Sequence, residues 1–474
     1  MRLFAFLLFS VALLPSSVLA AGVSPYLPLK SAPEFEHLIE KLLAKAPNAD
    51  LMTKPYKAVD IDRLNDEIKD TDPLLHKKIK RYLSRYKRTG ALTRAQVKLA
   101  YSNKDHNIPN GRGQNISDTI AVEADGFWLA HDNLLFSGAF IATDEDFIPI
   151  NTLMSFGNEY AQVDIGYKDK WYSPFYDNAM LISSHAKTYP SITVSNYEPF
   201  TRFRFRYDFL LMQMDEQEAI RLGDESEPGK PYLAGTHLSF MPMDNLTIGL
   251  NRLFQFGGGP RTVTFKDFLQ AFFDPVGKDN KASSGDFDDP NFEFGDQLAS
   301  VTVKYNFDWF SHQGSLYGEI AGEDTEAHKN YKLGNTAVSV GLFLPEITEK
   351  SSLRIEHVTW QDAWYENSIY SEGNRNDGHV IGHWGGDERV DSSQQGAKSL
   401  SINWIYNHNE TDVYDAKIRL LDNKDKDYDG YSIGYELDLR YSTFYDNAFW
   451  GLELIAGRDV YDEDYYRIAV SYSY

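Results

Sequence analysis

The stretch DKDYDGYSIGYE, Asp425 to Glu436, carries the ligand spacing of a calcium loop. Asp425, Asp427 and Asp429 stand at positions 1, 3 and 5, Gly430 at 6 and Glu436 at 12, the order in which an EF-hand wraps one ion. Four other stretches offer chemistry. HVIGH, His379 to His383, presents two imidazoles as a potential metal pair. Ser184-His185 puts a hydroxyl beside an imidazole, as in a nucleophile and its base. Gly257-Gly258-Gly259 has the flexibility of a phosphate cradle. Arg202, Arg204 and Arg206 alternate in RFRFR and could line an anion channel.

The elements that must position these residues decide against most of that chemistry. YSIGYELDLRY alternates as a strand, so Glu436 lies about 20 Å from Gly430 at roughly 3.3 Å per residue. It cannot share an ion with Asp425, and no helix flanks the loop. Asp429-Gly430 reads instead as the turn of a hairpin, with Asp425 and Asp427 at its soluble tip and Glu436 facing inward beside Asp438 and Arg440. At most the aspartate cluster holds a weak surface ion. HVIGH lacks the glutamate of HExxH and lies in Gly-rich loop sequence. Ser184 and His185, as neighbours in a strand, face opposite sides. No Gly-Lys-Ser/Thr follows the glycine triplet. The expectation is a protein without catalysis, metal or other cofactor, whose arginine ladder pairs with facing acids.

The first 20 residues read as a secretory leader: Arg2, an apolar middle, then Val18-Leu19-Ala20 before a cut. The chain has 474 residues, no cysteine and a formal net charge of −22, which disfavours a nucleic-acid partner. Thirty Tyr and 29 Phe in an exported, acidic, cysteine-free chain fit an outer-membrane β-barrel; a soluble periplasmic β-protein is the alternative.

Residues 21–91 read as a small helical unit. APEFEHLIEKLLAKA places Phe35, Leu38, Ile39, Leu42 and Leu43 at helical spacing. VDIDRLNDEI and TDPLLHKKIKRYLSRYKR follow, the latter with Thr71 or Asp72 as cap and Pro73 in its first turn. From 92 to 474 the period is 2. In RFRFRYDFLLM the charged residues share one face and the aromatics the other; ASVTVKYNFDW and YYRIAVSYSY repeat the alternation. Charges on the inner face of a sandwich would be ruinous unless paired, whereas a hydrated barrel lumen accepts them. We count about 18 candidate strands, the outer-membrane range, from 93–102 to 465–474, among them 158–168, 179–186, 191–196 and 201–213. Short turns at His131-Asp132, Met243-Asp244, Ser311-His312 and Glu410 alternate with long links 144–157, 214–230, 258–295 and 362–397. The fold expected is an all-β transmembrane barrel of antiparallel strands, with the helical unit on the periplasmic side and long extracellular loops.

Three stretches resemble the Wzi family of capsule-assembly outer-membrane proteins. DKWYSPFYDNAMLISSHAKTYPSITVS (169–195) is similar to its tryptophan-rich run, through Trp171, Tyr172, Pro174, Asp177 and Ser183 to Pro190. GLNRLFQFGGGPR (249–261), with Arg252 and Arg261, is similar to its G-x-x-R…Q-[WF]-G-G-x-x-R run. IGHWGGDERVDSSQQG (381–396) resembles its IGH…G stretch. Tyr172 and Tyr176 replace tryptophans, and Ser173 a glycine. The resemblance implies an outer-membrane lectin in a Gram-negative bacterium: a barrel closed from below by helices, holding capsular or surface polysaccharide at the cell surface. Outer-membrane lipid and the barrel assembly machinery are its other expected partners. A substrate-specific porin is the competing reading.

Lectin chemistry needs aromatic faces for sugar rings and polar groups for hydroxyls. Trp364, Tyr365, Arg375, His383, Trp384, Arg389 and Arg261 are the candidate carbohydrate contacts, with Tyr370, Asn374, His379, Phe265, Phe268, Phe272, Phe273, Phe287 and Phe292 nearby in the same loops. The competing expectation is that these aromatics pack on one another to cap the barrel. Trp171, Tyr172, Asp177 and Arg252 belong to the family-like motifs without an assigned role.

Overall fold

The computed structural model describes residues 22–30, 33–273, 294–309, 312–323, 333–362, 364–390, 396–409, 411–424 and 430–474. The expected leader, Asp425, Asp427, Asp429, Phe287 and Phe292 lie outside them.

Three helices come first: α1 (Pro33–Lys45), α2 (Ala58–Glu67) and α3 (Pro73–Leu83). Asp72 is the cap of α3, its carboxylate accepting from the Leu75 amide at 3.0 Å, with Pro73 at the first turn and Lys80 and Arg81 in the last. The apolar faces of the helices, Ile39, Leu42, Leu43, Ile61, Leu64, Leu75 and Ile79, meet in one core. Each such side chain contributes about 1.5–3 kcal/mol on burial. Phe127 and Leu135 of the barrel wall join that core, so the helical unit is cemented to the wall at one end.

The short strand β1 (Thr53–Lys54) precedes the wall. The wall then runs β2 (Gly90–Ser102), β3 (Ile120–His131), β4 (Leu134–Thr143), β5 (Phe147–Asn158) and β6 (Ala161–Tyr167). After the short β7 (Trp171–Tyr172) come β8 (Pro190–Ser195) and β9 (Arg206–Gln213). An outer hairpin, β10 (Gln217–Leu222) and β11 (Glu225–Gly229), leads to β12 (Tyr232–Met243) and β13 (Leu246–Phe256). Next are β14 (Gly295–Trp309), β15 (His312–Glu323), β16 (Thr336–Thr348) and β17 (Ser351–Trp360). A loop hairpin, β18 (Arg375–Asn376) and β19 (His379–Val380), precedes β20 (Gly396–Asn407), β21 (Val413–Lys424), β22 (Gly434–Tyr445), β23 (Ala448–Arg458) and β24 (Asp464–Ser473). Eighteen of these strands form a closed antiparallel barrel, sealed where β24 pairs with β2.

Val97, Leu99, Val301, Val303, Ile468 and Val470 form an exposed outward belt. Trp128, Phe136, Trp309, Trp450 and Tyr472 edge it at one end, and Tyr101, Phe147, Tyr232, Tyr435 and Tyr466 at the other. This is the surface of a membrane barrel. Both ends of the wall and the helical unit share one rim, where turns are tight. At Asp446-Asn447 both φ angles are positive, 51° and 62°, as in a type I′ hairpin. The long loops all leave the other rim.

Three expectations need correction. Residues 144–157 are not a long link: 144–146 is a tight turn and the rest is β5. Pro149, a register shift opposite Ser137 and Asn151 at φ 41° break its alternation, and its inner face is apolar, with Ile148 and Ile150 packed on Ala139 and Ile141. Residues 179–186 are not a strand but part of a loop folded into the lumen and buried all round. The count of eighteen survives because one error offset the other. Finally, 201–205 precede β9 as a turn, with Thr201 and Arg204 at φ 62° and 52°. The arginines therefore form no channel ladder. As expected, Arg204 and Arg206 pair with acids: they reach Asp50 of the helical unit at 3.0 and 2.9 Å, Arg63 reaches it at 3.1 Å, and Arg206 also pairs with Asp60 at 2.7 Å.

Burial opposes the charge of Asp50, but Arg206, Arg63 and Arg204 hold its carboxyl below the usual range. Asp50→Asn leaves three guanidiniums without their shared counter-charge. It should destabilise the docked helical unit by about 3 kcal/mol, measured as earlier urea-induced exposure of residues 33–87 to trypsin.

Candidate functional site

The lumen is filled from both rims. The loop 168–189 descends from the long-loop side, and its β7 pairs antiparallel with β1 of the helical unit, Thr53 opposite Tyr172 and Lys54 opposite Trp171. Around this seam the expected motif residues take structural places. The Trp171 indole donates to the Phe175 carbonyl at 2.9 Å beneath the ammoniums of Lys30 and Lys54. The Tyr172 hydroxyl donates to Asp208 at 2.6 Å. Asp177 accepts from Arg419 at 2.8 Å, and Lys417 stands 3.5 Å away. Tyr176 lies between Lys54, 3.5 Å from its ring centre, and Arg354 at 3.8 Å.

Above the seam three loops are knitted together. Amides of Arg112 and Gly113 donate to the carbonyls of Ser184 and His185, both at 2.8 Å, and the Ser183 amide donates to Ile381 at 2.7 Å. Arg112 holds the buried Asp169 at 2.6 Å. His185 is the knot. Its Nδ1 accepts from the Asn110 amide at 3.2 Å, so its proton sits on Nε2, which donates to Asp387 at 2.8 Å. His379 meets the same Asp387 oxygen at 2.9 Å, and the Val380 amide donates to the other at 3.0 Å. His185, His379 and Asp387 are thus close enough to suggest a metal trio. The proton on His185 Nε2 makes them a hydrogen-bonded knot instead. Burial works against the Asp387 charge, yet His185 and His379 hold its carboxyl well below the usual range. The Ser184 hydroxyl donates to the Asn110 carbonyl at 3.1 Å, away from the imidazole, so it has no base.

The candidate carbohydrate residues fall mostly into one cluster around Tyr365. Its hydroxyl donates to the Met180 carbonyl and accepts from the His383 amide, both at 2.8 Å. Trp364 packs edge-on against it with ring centres 5.7 Å apart. Arg389 donates to the Trp364 carbonyl at 2.6 Å. His383 is fully buried between the Gly385 amide and the Ser399 hydroxyl, each at 3.0 Å. Burial pushes its imidazole down to about 3. It does not face His379, so HVIGH forms no pair. Trp364, Tyr365 and His383 present no face to solvent, while Arg375 stays partly exposed beside Glu366 at 3.2 Å. Arg261 is elsewhere, bonded to the Arg221 carbonyl in the outer hairpin. Gly257, Gly258 and Gly259 all have positive φ, at 69°, 84° and 51°, which turns the end of β13 sharply toward that hairpin.

Arg252 points outward from β13. The helix α4 (Phe265–Phe273) lies against it, and Arg252 caps the helix by donating to the carbonyls of Phe272 at 2.7 Å and Ala271 at 3.1 Å. Phe268 and Phe272 pack there on Phe254 and Phe294. Sequence reasoning missed this outer-wall cap, and also the His185 knot, because adjacent Ser184-His185 looked like chemistry rather than a tie between loops.

Residues 84–424 match the family described as capsule assembly protein Wzi. The chain belongs to the Wzi family. Among solved structures it is similar to Wzi of Escherichia coli, at 12% identity and a TM-score of 0.71, over 96% of this chain and 99% of that one. That protein is described as an outer-membrane protein involved in group 1 capsule assembly and a carbohydrate-binding β-barrel. OpdQ and OprD of Pseudomonas aeruginosa overlap loosely, each at 10% identity. Their TM-scores are 0.46 and 0.45, over 80% and 81% of this chain and 96% and 93% of theirs. No curated protein matches by sequence. Family and fold make this Wzi-family chain an outer-membrane protein of a Gram-negative bacterium.

A small cleft beside the cap is lined by Trp384, Glu388, Arg458 and Tyr465, with His106 stacked on Tyr465 at 3.9 Å. Burial first, then Asp387, push the Glu388 carboxyl up to about 8; burial pushes His106 down to about 4. A carboxyl raised in the fold stabilises fully below its unfolded value of about 4.3 and loses that contribution up to the folded value. Proteolysis of loop 361–395 should therefore accelerate from pH 5 to pH 8, and Glu388→Gln should flatten the profile.

Proposed function

We propose that this barrel is an outer-membrane lectin. It binds exported capsular or surface polysaccharide at its long-loop rim and anchors it to the cell surface. The helical unit then faces the periplasm and the knitted loops face outward. The outward apolar belt meets membrane lipid, and the barrel assembly machinery inserts the wall. The observation that carries this reading is the preformed cap. Three loops are locked by His185 and Asp387 over a lumen filled from both ends, a rigid outward surface rather than a wide conduit. The described likeness of the E. coli relative to a carbohydrate-binding barrel supports it. Trp364, Tyr365, His383 and Arg389 set the shape of the cap, while the partly exposed Arg375 and the edge of Trp384 that lines the small cleft are the side chains offered to a bound glycan. No step of bond making is proposed, since His185 has both nitrogens occupied.

Two measurements test the reading. Immobilised intact protein should retain the producing bacterium's own polysaccharide, and Arg375→Ala with Trp384→Ala should weaken retention about tenfold, equivalent to about 1.4 kcal/mol. A strain lacking the protein should shed labelled capsule into the medium; an unchanged capsule layer would sink the proposal.

A further inference from the structure

The helical unit fills the lumen off-centre. α1 packs against β14, β15 and β16. Across from it, the wall formed by β20 to β24 and β2 faces a series of cavities. One, of about 100 Å³, lies toward the rim that carries the helices, between Glu34, Arg94, Phe449 and Ser473. A second, of about 150 Å³, lies deeper, and the two share Lys30, Lys98, Glu123, Asp415, Arg440 and Glu453 as common walls. The third is the cleft beside Trp384, about 20 Å³, which meets the second at Arg419 and Pro109. A water molecule needs roughly 10–15 Å³ of such space, so the cleft passes one small particle at a time. The neck is a salt bridge: Arg419 joins Asp177 of the inward loop to Glu436 of β22.

We propose that this wall carries a narrow path for small inorganic anions past the helical unit, with Arg419 as its constriction. The preference follows from which charges the cavities see. Lys98, Lys417 and Arg440 keep 25%, 20% and 33% of their side-chain surface exposed. Their partners Glu453, Asp177 and Asp438 keep 12%, 6% and 4%. In these three pairs the cation is the more exposed partner, and the second cavity is lined by eight cationic side chains against five carboxylates, so its field favours a chloride ion over a potassium ion. The path is distinct from a glycan conduit, because its neck excludes a sugar ring. It does not depend on glycan binding.

The test is planar-bilayer recording of the intact mature protein across a potassium chloride gradient. A small, steady conductance with a chloride-selective zero-current potential is expected. Arg419→Ala should raise the conductance at least threefold. Lys98→Gln with Arg440→Gln, which leaves the neck in place, should at least halve the chloride-to-potassium permeability ratio. Heat-modifiable gel mobility reports whether each barrel has folded; if Arg419→Ala does not fold, the paired change carries the test. Silence of both the intact protein and a folded Arg419→Ala barrel overturns the path, and so does a cation-selective potential or an unaltered ratio in the paired variant.

Discussion

Burying a charge is costly unless a partner stands near, and much of this barrel's interior is arranged around that cost. A lumen filled with protein offers little water to solvate a carboxylate or a guanidinium. The strands supply cations on one element and acids on the next, and the helical unit and loops complete the pairs. Asp50 draws three arginines, Arg354 is answered by Glu40 of α1, Asp177 by Arg419, and Asp169 by Arg112. These pairs cross between separate parts of the chain, so they fix how the plug and the loop sit in the wall as well as neutralising charge. Apolar packing adds to them at the rim near the termini, where Phe127 and Leu135 meet the helices, and higher up, where Met180, Leu181 and Ile182 of the inward loop meet Leu210, Leu253 and Leu298 of the wall.

Much of this was legible in the alternation. In YSIGYELDLRY the inward set Glu436, Asp438 and Arg440 is where the sequence put it, with Glu436 bonded to Arg419 and Arg440 to Asp438 at 2.8 Å. The cap of α3 at Asp72 was legible from Pro73 and the basic last turn. The failures share a cause. Period-2 reasoning assumes one wet face and one apolar face. β5 has apolar side chains on both, and residues 179–186 are buried on every side, so the rule lost the first and invented a strand at the second. The arginines of RFRFR alternate in sequence, but Arg202 and Arg204 sit on a turn and only Arg206 on the strand, which spacing alone does not reveal.

The loop cluster was half legible. The aromatics of 362–397 do assemble, as expected, but around Tyr365 as the packed interior of a lid. What organises them is a histidine of the inward loop whose partners lie in two other loops, Asn110 in one and His379 and Asp387 in the other. Nothing local marks such a residue, because its meaning depends on which loops meet above the lumen. Arg252 is similar. It sits in a family-like motif, yet its partners are the last carbonyls of a helix laid on the outer wall.

The strand pair between Thr53–Lys54 and Trp171–Tyr172 gives the molecule a load path. A pull on the outer loops travels along 168–189 into that pair and from there into the helical unit, whose α1 bears on β14, β15 and β16. Tension from outside is thus converted into shear across an antiparallel ladder and compression of a helical wedge against the wall. Resistance to such a pull then resides in the two-residue pair of β1 with β7 and in the packing of α1 on the wall.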